Sequence, residues 1–385
     1  MKVLLIDGAS PLRGQAGHLS GLAKGLRNRG HIVAVSCNHE RPDKALAASQ
    51  VPVFQTGWGR QPDVLAICGL ARRIKDEAFD VVHTHGTRAG LIGRTAARLA
   101  GCPKVIHTMH ALSSDLVRAT GLRGRAARLA YTCADKWLAR WTTTIIADSE
   151  DVRRQAIRQG IPKSKVVTIH PGVDLSCYQR PGDRCLARRR LGIPTGCKVV
   201  GTISHFTRRD NPADLLQAAS ILSKRFDDLL FVLVGDGKEM PSLRRLAKDL
   251  GVSHRVLFPG CRGDAPEIIR AFDVFALPSL SEGCPLSLLE AMAAGLPVVA
   301  PDIAGVRETV EDGAAGHIVP PSDPASLAAG IRRIFEEERE HEMGTAGRER
   351  AMRLFGLDRM VEHIEKVYLG RMEPDPTGVP AAAVN

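Results

Sequence analysis

The feature that most constrains this chain is a strand–helix alternation that runs through the first half and then starts again. Val3-Leu4-Leu5-Ile6 is an unbroken apolar run, which reads as a strand buried on both faces. Residues 7–17 are rich in turn formers, including Gly8, Pro11, Gly14 and Gly17, and read as a loop. Leu19, Leu22, Ala23 and Leu26 then fall on one helical stripe, Gly30 ends it, and Ile32-Val33-Ala34-Val35 opens the next strand. Val81-Val82, Val105-Ile106 and residues 143–147 continue the series, with a helical segment over 88–99. The pattern restarts at Lys198-Val199-Val200-Gly201. It proceeds through strands at 229–234, 256–258, 273–277 and 297–300, with helices over 213–222 and 286–294. Such alternation specifies parallel sheets joined by right-handed crossovers.

With 385 residues, two domains are expected rather than one. The turn-rich stretch over 172–182 reads as the linker. The expected architecture is therefore α/β, with two doubly wound Rossmann-like domains facing across a cleft. Ligands of such sheets bind beyond the carboxyl ends of the strands, which makes the cleft the expected site. Aromatic residues are only 4%, so the cores must be built from Val, Ile, Leu and Ala. Residues 373–385, rich in Pro, Gly and Ala, read as a disordered tail.

Nine cysteines fall at irregular spacings without a CxxC pair, which argues against a disulfide framework and for reduced thiols in a cytosol. Asp7 and Gly8 interrupt the first apolar run before a signal-peptide core forms, and no apolar run reaches the roughly 18–20 residues of a membrane span. The expected location is cytoplasmic, with a peripheral position on the inner face of a membrane left open. The net charge of +11 favours anionic partners. No RNA- or DNA-reading motif accompanies it, so nucleic acid is not an expected partner.

The strongest local signal spans residues 278–300. A strand ends at Leu277, a glycine turn follows with Glu282 and Gly283, and a helix opens near Pro285, where a missing N–H costs nothing. The amides of Cys284, Leu286 and Ser287 at that helix start form an anion site suited to a diphosphate. Glu282 and Glu290 are eight residues apart, and carboxylates accept hydrogen bonds from paired sugar hydroxyls. Taken alone, such a pair is equally a capping carboxylate and a solvated helix glutamate.

The run E-G-C-P-L-S-L-L-E-A-M-A-A-G-L-P-V-V-A at 282–300 resembles the E-x7-E region of family 4 retaining glycosyltransferases. Val234-Gly235-Asp236-Gly237 resembles the family's V-G-D-G turn, and residues 256–260 its V-x-F-x-G. Residues 170–174 are similar to its N-G-V-D junction, and residues 79–110 to its F-D-V-V-H-T-H and T-x-H stretches. The resemblance covers about residues 3–356. It implies the GT-B fold, with an acceptor-side domain at 1–175, a sugar-nucleotide domain at 176–356, and a helix at 357–372 crossing back to the first domain.

The resemblance also implies roles. Glu290 would hold the ribose hydroxyls and Glu282 would lie near the donor sugar. The amides of Gly283, Cys284, Leu286 and Ser287 would bind the diphosphate. Gly235 lies in the V-G-D-G turn, and Arg262 lies where the backbone passes the base. His110 would sit near the reacting sugar carbon, with His85 behind it. Gly14 and Gly17 resemble the acceptor-side glycine loop, although the same residues serve equally as a plain strand-to-helix turn. Transfer in the family needs no metal or cofactor. The expected substrates are a nucleoside-diphosphate sugar, with UDP-sugars before GDP-mannose, and a polysaccharide, lipid-linked or glycolipid acceptor. A non-catalytic sugar-nucleotide or membrane binder and a sugar-nucleotide epimerase are the alternatives.

One departure stands out. The family carries an Arg and a Lys after the first strand of the second domain, where they neutralise the leaving diphosphate. Here His205 and Asp210 occupy those positions, with Arg208 and Arg209 beside them. A buried dianion without a cation is costly, so His205, Arg208 and Arg209 become donor-site candidates.

His83 and His85 share a strand face, and His107 and His110 end the next strand. No carboxylate or cysteine completes a recognisable ligand spacing with them, so no metal site is expected. The stretch 118–141 carries Arg123, Arg125, Arg128, Lys136 and Arg140 with Leu129, Trp137 and Trp141. It reads either as a basic amphipathic helix for an anionic membrane or as a helix packing Leu129, Leu138 and Trp141 into the core.

Overall fold

The computed structural model of the chain describes residues 1–8, 14–37, 51–56, 64–110, 121–179 and 183–372. The expected disordered tail and part of the first turn-rich loop lie outside them. The chain divides into two compact units, one of Met1–Gly172 with the segment from Leu357, the other beginning at Val173 and running to Gly356.

The first unit is built on β1 (Lys2–Asp7), β2 (Ile32–Cys37), β3 (Val53–Gln55), β4 (Val81–His85), β5 (Lys104–Met109), β6 (Thr144–Ala147) and β7 (Val166–Thr168). They form one parallel sheet in the order β3-β2-β1-β4-β5-β6-β7. The unbroken apolar runs behave as their composition requires, because both faces are covered. Val3, Leu5, Val33, Val35 and Val81 pack with Leu22 and Leu26 of α1 (Gly14–Asn28) on one face. Leu4, Ile6 and Val82 pack on the other with α2 (Val64–Asp76) and α3 (Thr87–Ala100). α4 (Gly121–Ala139) and α5 (Glu150–Arg158) complete the alternation up to residue 172.

The last helix of the described chain, Leu357–Tyr368, packs on α1. Its Met360, Val361 and Ile364 join the core, and Glu365 accepts hydrogen bonds from Arg29 and His31 at 2.9 and 2.8 Å. Two glycines of α1 let it approach. A Cβ at Gly21 would lie 3.0 Å from Leu357 Cδ1, and one at Gly25 would lie 2.6 Å from Val361 Cγ2. Gly14 and Gly17 also lie within α1, so the expected loop over residues 14–17 is helix. Glycine's helix penalty of roughly 1 kcal/mol is overridden by the packing of α1 on the sheet.

In the second unit, α6 (Arg184–Arg190) leads into β8 (Lys198–Ile203), α7 (Pro212–Leu222), β9 (Leu229–Val234), α8 (Met240–Asp249), β10 (Val256–Gly260), α9 (Ala265–Ile269) and β11 (Val274–Ala276). The chain continues through α10 (Leu286–Ala293), β12 (Val298–Pro301), α11 (Ala304–Thr309), β13 (Gly316–Val319), α12 (Pro324–Glu336) and α13 (Glu340–Leu354). Leu357–Tyr368 is then α14. The sheet is parallel, in the order β10-β9-β8-β11-β12-β13. Val200, Phe231, Leu233 and Val274 face α7 and α12, while Val199, Val232 and Phe275 face α10. In each unit the strand order reverses once, between β1 and β4 in the first and between β8 and β11 in the second. Such reversals open the crevice where ligands of parallel sheets bind.

Candidate functional site

The crevice of the second unit is lined by the loops after β8 and β11, and these carry the sequence-predicted donor residues. Pro285 is the N-cap of α10, with an extended conformation (ψ 112°), and the helix begins at Leu286. The proline therefore precedes the first turn instead of occupying it. Gly283 and Cys284 are buried in the turn. The amides of Leu286 and Ser287, in the first helical turn, have no carbonyl one turn earlier within the helix to receive them.

Ser279 donates to Glu282 Oε1 at 3.1 Å and is itself fully buried, which holds the Glu282 carboxylate at the turn. Glu290 is half-buried one turn on from Leu286. Burial, then the Glu290 charge, pushes the Tyr178 phenol well above its usual range. The Tyr178 hydroxyl is buried without a hydrogen-bond partner among the described residues. Tyr178 is a site candidate that sequence reasoning missed, because it lies more than a hundred residues from the motif it adjoins.

Gly305 of α11 backs the turn so closely that a Cβ there would stand 1.4 Å from the Gly283 carbonyl oxygen. Gly235 serves the neighbouring loop. It has φ 147°, and a Cβ would meet the Ser204 carbonyl oxygen at 1.9 Å.

In the loop at 205–210 the charged side chains have distinct surroundings. Asp210 is buried and bonded to the Thr207 hydroxyl, with Arg209 3.5 Å away. It stabilises the loop and brings no positive charge. The Arg209 carbonyl accepts a hydrogen bond from the Leu280 amide at 2.8 Å, which ties this loop to the Glu282 turn. The Arg208 side chain is 93% exposed, 3.8 Å from Glu239, and lines a hollow of about 450 Å³ with Asn211, Ser242 and Asp249. His205 is half-buried at the start of the loop. The Arg262 side chain is held by Asp264 through two hydrogen bonds of 3.0 and 2.8 Å.

At the crevice of the first unit the structure gathers histidines from three elements. His18 comes from α1, His85 from the end of β4 and His110 from just beyond β5. His18 lies 5.5 Å from His85 and 5.3 Å from His110 between ring centroids, and His85 stacks on His110 at 5.9 Å. Burial, then the His110 charge, pushes His18 down to about 3. Burial holds His83 and His85 well below the usual imidazole range. His110 Nδ1 lies 3.6 Å from Asp148 Oδ2.

His83 and His107 are structural. His83 bonds Tyr368 at 2.6 Å and Thr108 at 2.7 Å, and His107 bonds Thr84 at 2.9 Å. His18 was not legible as a site residue, since its partners are set by topology and not by spacing.

Among the described residues no helix is long and apolar enough to cross a membrane. On α4, Leu138 is buried, but Leu129 is 65% and Trp137 50% exposed. The expectation that Leu129 packs into the core is therefore corrected.

Residues 12–176 match the family described as Glycosyltransferase Family 4, and residues 183–350 match Glycosyl transferases group 1. A D-inositol 3-phosphate glycosyltransferase of Thermomonospora curvata is 31% identical over 368 residues, 91% of this chain and 82% of the relative. The UDP-Gal:alpha-D-GlcNAc-diphosphoundecaprenol alpha-1,3-galactosyltransferase of Escherichia coli is 29% identical over 356 residues, 89% and 90% of the two chains. Among solved structures, Anabaena HepE in complex with UDP and glucose superposes with a TM-score of 0.83. It has 23% identity and covers 97% of this chain and 100% of its own. That likeness establishes the fold.

Proposed function

The chain belongs to glycosyltransferase family 4, and we propose that it moves a sugar, with retention of anomeric configuration, from a UDP-sugar to a lipid-linked acceptor during assembly of a cell-surface glycan. The observation that carries this reading is the turn after β11. A buried Gly283-Cys284 pair, the open amides of Leu286 and Ser287, and the carboxylates of Glu282 and Glu290 converge at the strand-order reversal of the second unit. Backbone amides at a helix start suit a diphosphate, and Glu290 suits the ribose hydroxyls. Glu282 then faces the donor sugar, the Arg262 backbone faces the base, and His110 serves the reacting carbon. Arg209 supplies the positive charge that Asp210 does not, with the His205 ring beside it as a hydrogen-bonding group. The transfer itself draws on no metal, and an oxygen of the departing diphosphate takes the acceptor proton.

UDP as the nucleotide is supported by the Escherichia coli relative, whose name specifies UDP-Gal, and by the UDP held in Anabaena HepE. The lipid-linked acceptor follows the same relative, whose name specifies a diphosphoundecaprenol. The exposed side of α4 supports a peripheral site on an anionic membrane. It presents Arg123, Arg125, Arg128 and Lys136 with Leu129 and Trp137, the pairing of cations and large apolar groups that interfacial helices use. The reading is tested by incubating the protein with UDP-galactose, UDP-glucose, UDP-N-acetylglucosamine or GDP-mannose and a polyprenyl-diphosphate sugar. Transfer from one UDP-sugar, giving an α-linkage from the α-configured donor, is expected. Transfer from GDP-mannose alone, or hydrolysis without an acceptor product, overturns it.

A further inference from the structure

Among the described residues His31 and His317 each leave a single buried ring nitrogen unpaired, but one group of histidines lacks partners more widely. His83 satisfies both ring nitrogens, His107 bonds Thr84, and His31 bonds Glu365. In contrast, both nitrogens of His18, both of His85 and Nε2 of His110 are buried with no hydrogen-bond partner among the described residues. His18 is 6% and His85 3% exposed. Buried polar atoms left unpaired are costly and uncommon, so several in one place call for an occupant. One nitrogen from each of His18, His85 and His110 can be chosen so that all three lie within 4.8 Å of one another.

We propose that His18, His85 and His110 bind one divalent transition-metal ion of the zinc class. Three imidazoles are a donor set that suits Zn²⁺, Co²⁺, Ni²⁺ or Cu²⁺ and does not suit Mg²⁺ or Ca²⁺. Metal–nitrogen bonds of about 2.0–2.1 Å set tetrahedral ligands about 3.4 Å apart, so the rings close by about an ångström around the ion. Asp148 fits the arrangement. Its carboxylate lies 3.6 Å from His110 Nδ1, the ring atom opposite the free Nε2. A carboxylate behind a ligating imidazole fixes the ring's tautomer and orientation. Three protein ligands leave a fourth position for a water or a hydroxyl. The site shares His110 with the proposed transfer machinery, and metal binding is read directly, without the transfer reaction.

The test uses the full chain, stripped with chelator and with its thiols blocked by N-ethylmaleimide, because exposed Cys68, Cys133, Cys177, Cys185 and Cys261 also take zinc. Cobalt is titrated with visible absorption recorded, and zinc by calorimetry. One equivalent of each metal is expected to bind, with d–d bands of tetrahedral intensity. His18→Ala and His85→Ala abolish both signals, and His107→Ala retains them. Asp148→Asn weakens binding about 10- to 100-fold. Wild-type protein is read first, so a variant that fails to fold does not decide the result. No bands and no heat with wild type, an affinity weaker than about 0.1 mM, or binding unchanged in folded His18→Ala and His85→Ala each overturn the site.

Discussion

Replacing Gly305 with alanine tests whether the turn after β11 is the donor site, because Gly305 touches that turn and no proposed substrate group. The added Cβ would lie 1.4 Å from the Gly283 carbonyl oxygen, 2.4 Å from its carbon and 3.1 Å from the Cys284 nitrogen. Ordinary contact is about 3.5 Å, so the turn must retreat by about 2 Å. Overpacking of this kind costs about 1–3 kcal/mol, which in a unit of this size lowers Tm by about 2–12 °C. The larger effect falls on binding. Misplacing catalytic groups by about 1 Å can cost about a hundredfold, so the Kd for UDP is expected to rise about 100-fold, or about 2.8 kcal/mol. The assay is calorimetric titration of UDP into Gly305→Ala at a temperature where melting shows it folded. Gly347→Ala is the control, since its Cβ would meet only ordinary contacts of 3.6 Å or more, and it should bind UDP as wild type does. A folded Gly305→Ala that binds UDP within about threefold of wild type would refute the reasoning.

Other outcomes follow from the same geometry. Arg209→Ala is expected to weaken UDP binding about tenfold, as befits a charged hydrogen bond, whereas Arg208→Ala, exposed beside Glu239, changes it less than about twofold. Equal effects in the two variants would contradict the assignment of loop residues 205–210. Burial, then the charge of Arg94, holds His107 well below 6.5, so the folded protein keeps it neutral while the unfolded chain protonates. Its stabilising contribution is present above pH 6.5 and is lost as pH falls. The loss is up to about 1.4 kcal/mol per pH unit for this residue. Denaturant midpoints of chelated protein should drop between pH 6.5 and 5 and drop less steeply in His107→Gln. A flat profile in wild type would sink this prediction.

Much of the fold was legible because parallel strands buried on both faces leave unbroken apolar runs such as Val3–Ile6 and Val199-Val200. The short edge strands β3, β7 and β13, of three or four residues, leave too little pattern to read. Glycines misled at one place. Gly14 and Gly17 read as loop but lie within α1, the helix on which Gly21 and Gly25, four apart, make a groove for α14. The turn after β11, proposed to hold the donor, was legible as a strand–turn–helix because its residues are consecutive. The histidine cluster was not, since His18, His85 and His110 meet only because β1 and β4 are neighbours at the strand-order reversal. Tyr178, which feels the Glu290 charge, was hidden because it lies more than a hundred residues from that motif.

The most direct test of the donor site is a thermal-shift panel of UDP, GDP and ADP, with and without magnesium, on wild type and Glu290→Ala. At 100 times its Kd a diphosphate stabilises the folded protein by about 2.7 kcal/mol. The account predicts that UDP raises Tm, that magnesium leaves the shift unchanged, and that Glu290→Ala removes it. No shift with any nucleotide, or a UDP shift that survives in Glu290→Ala, would contradict it.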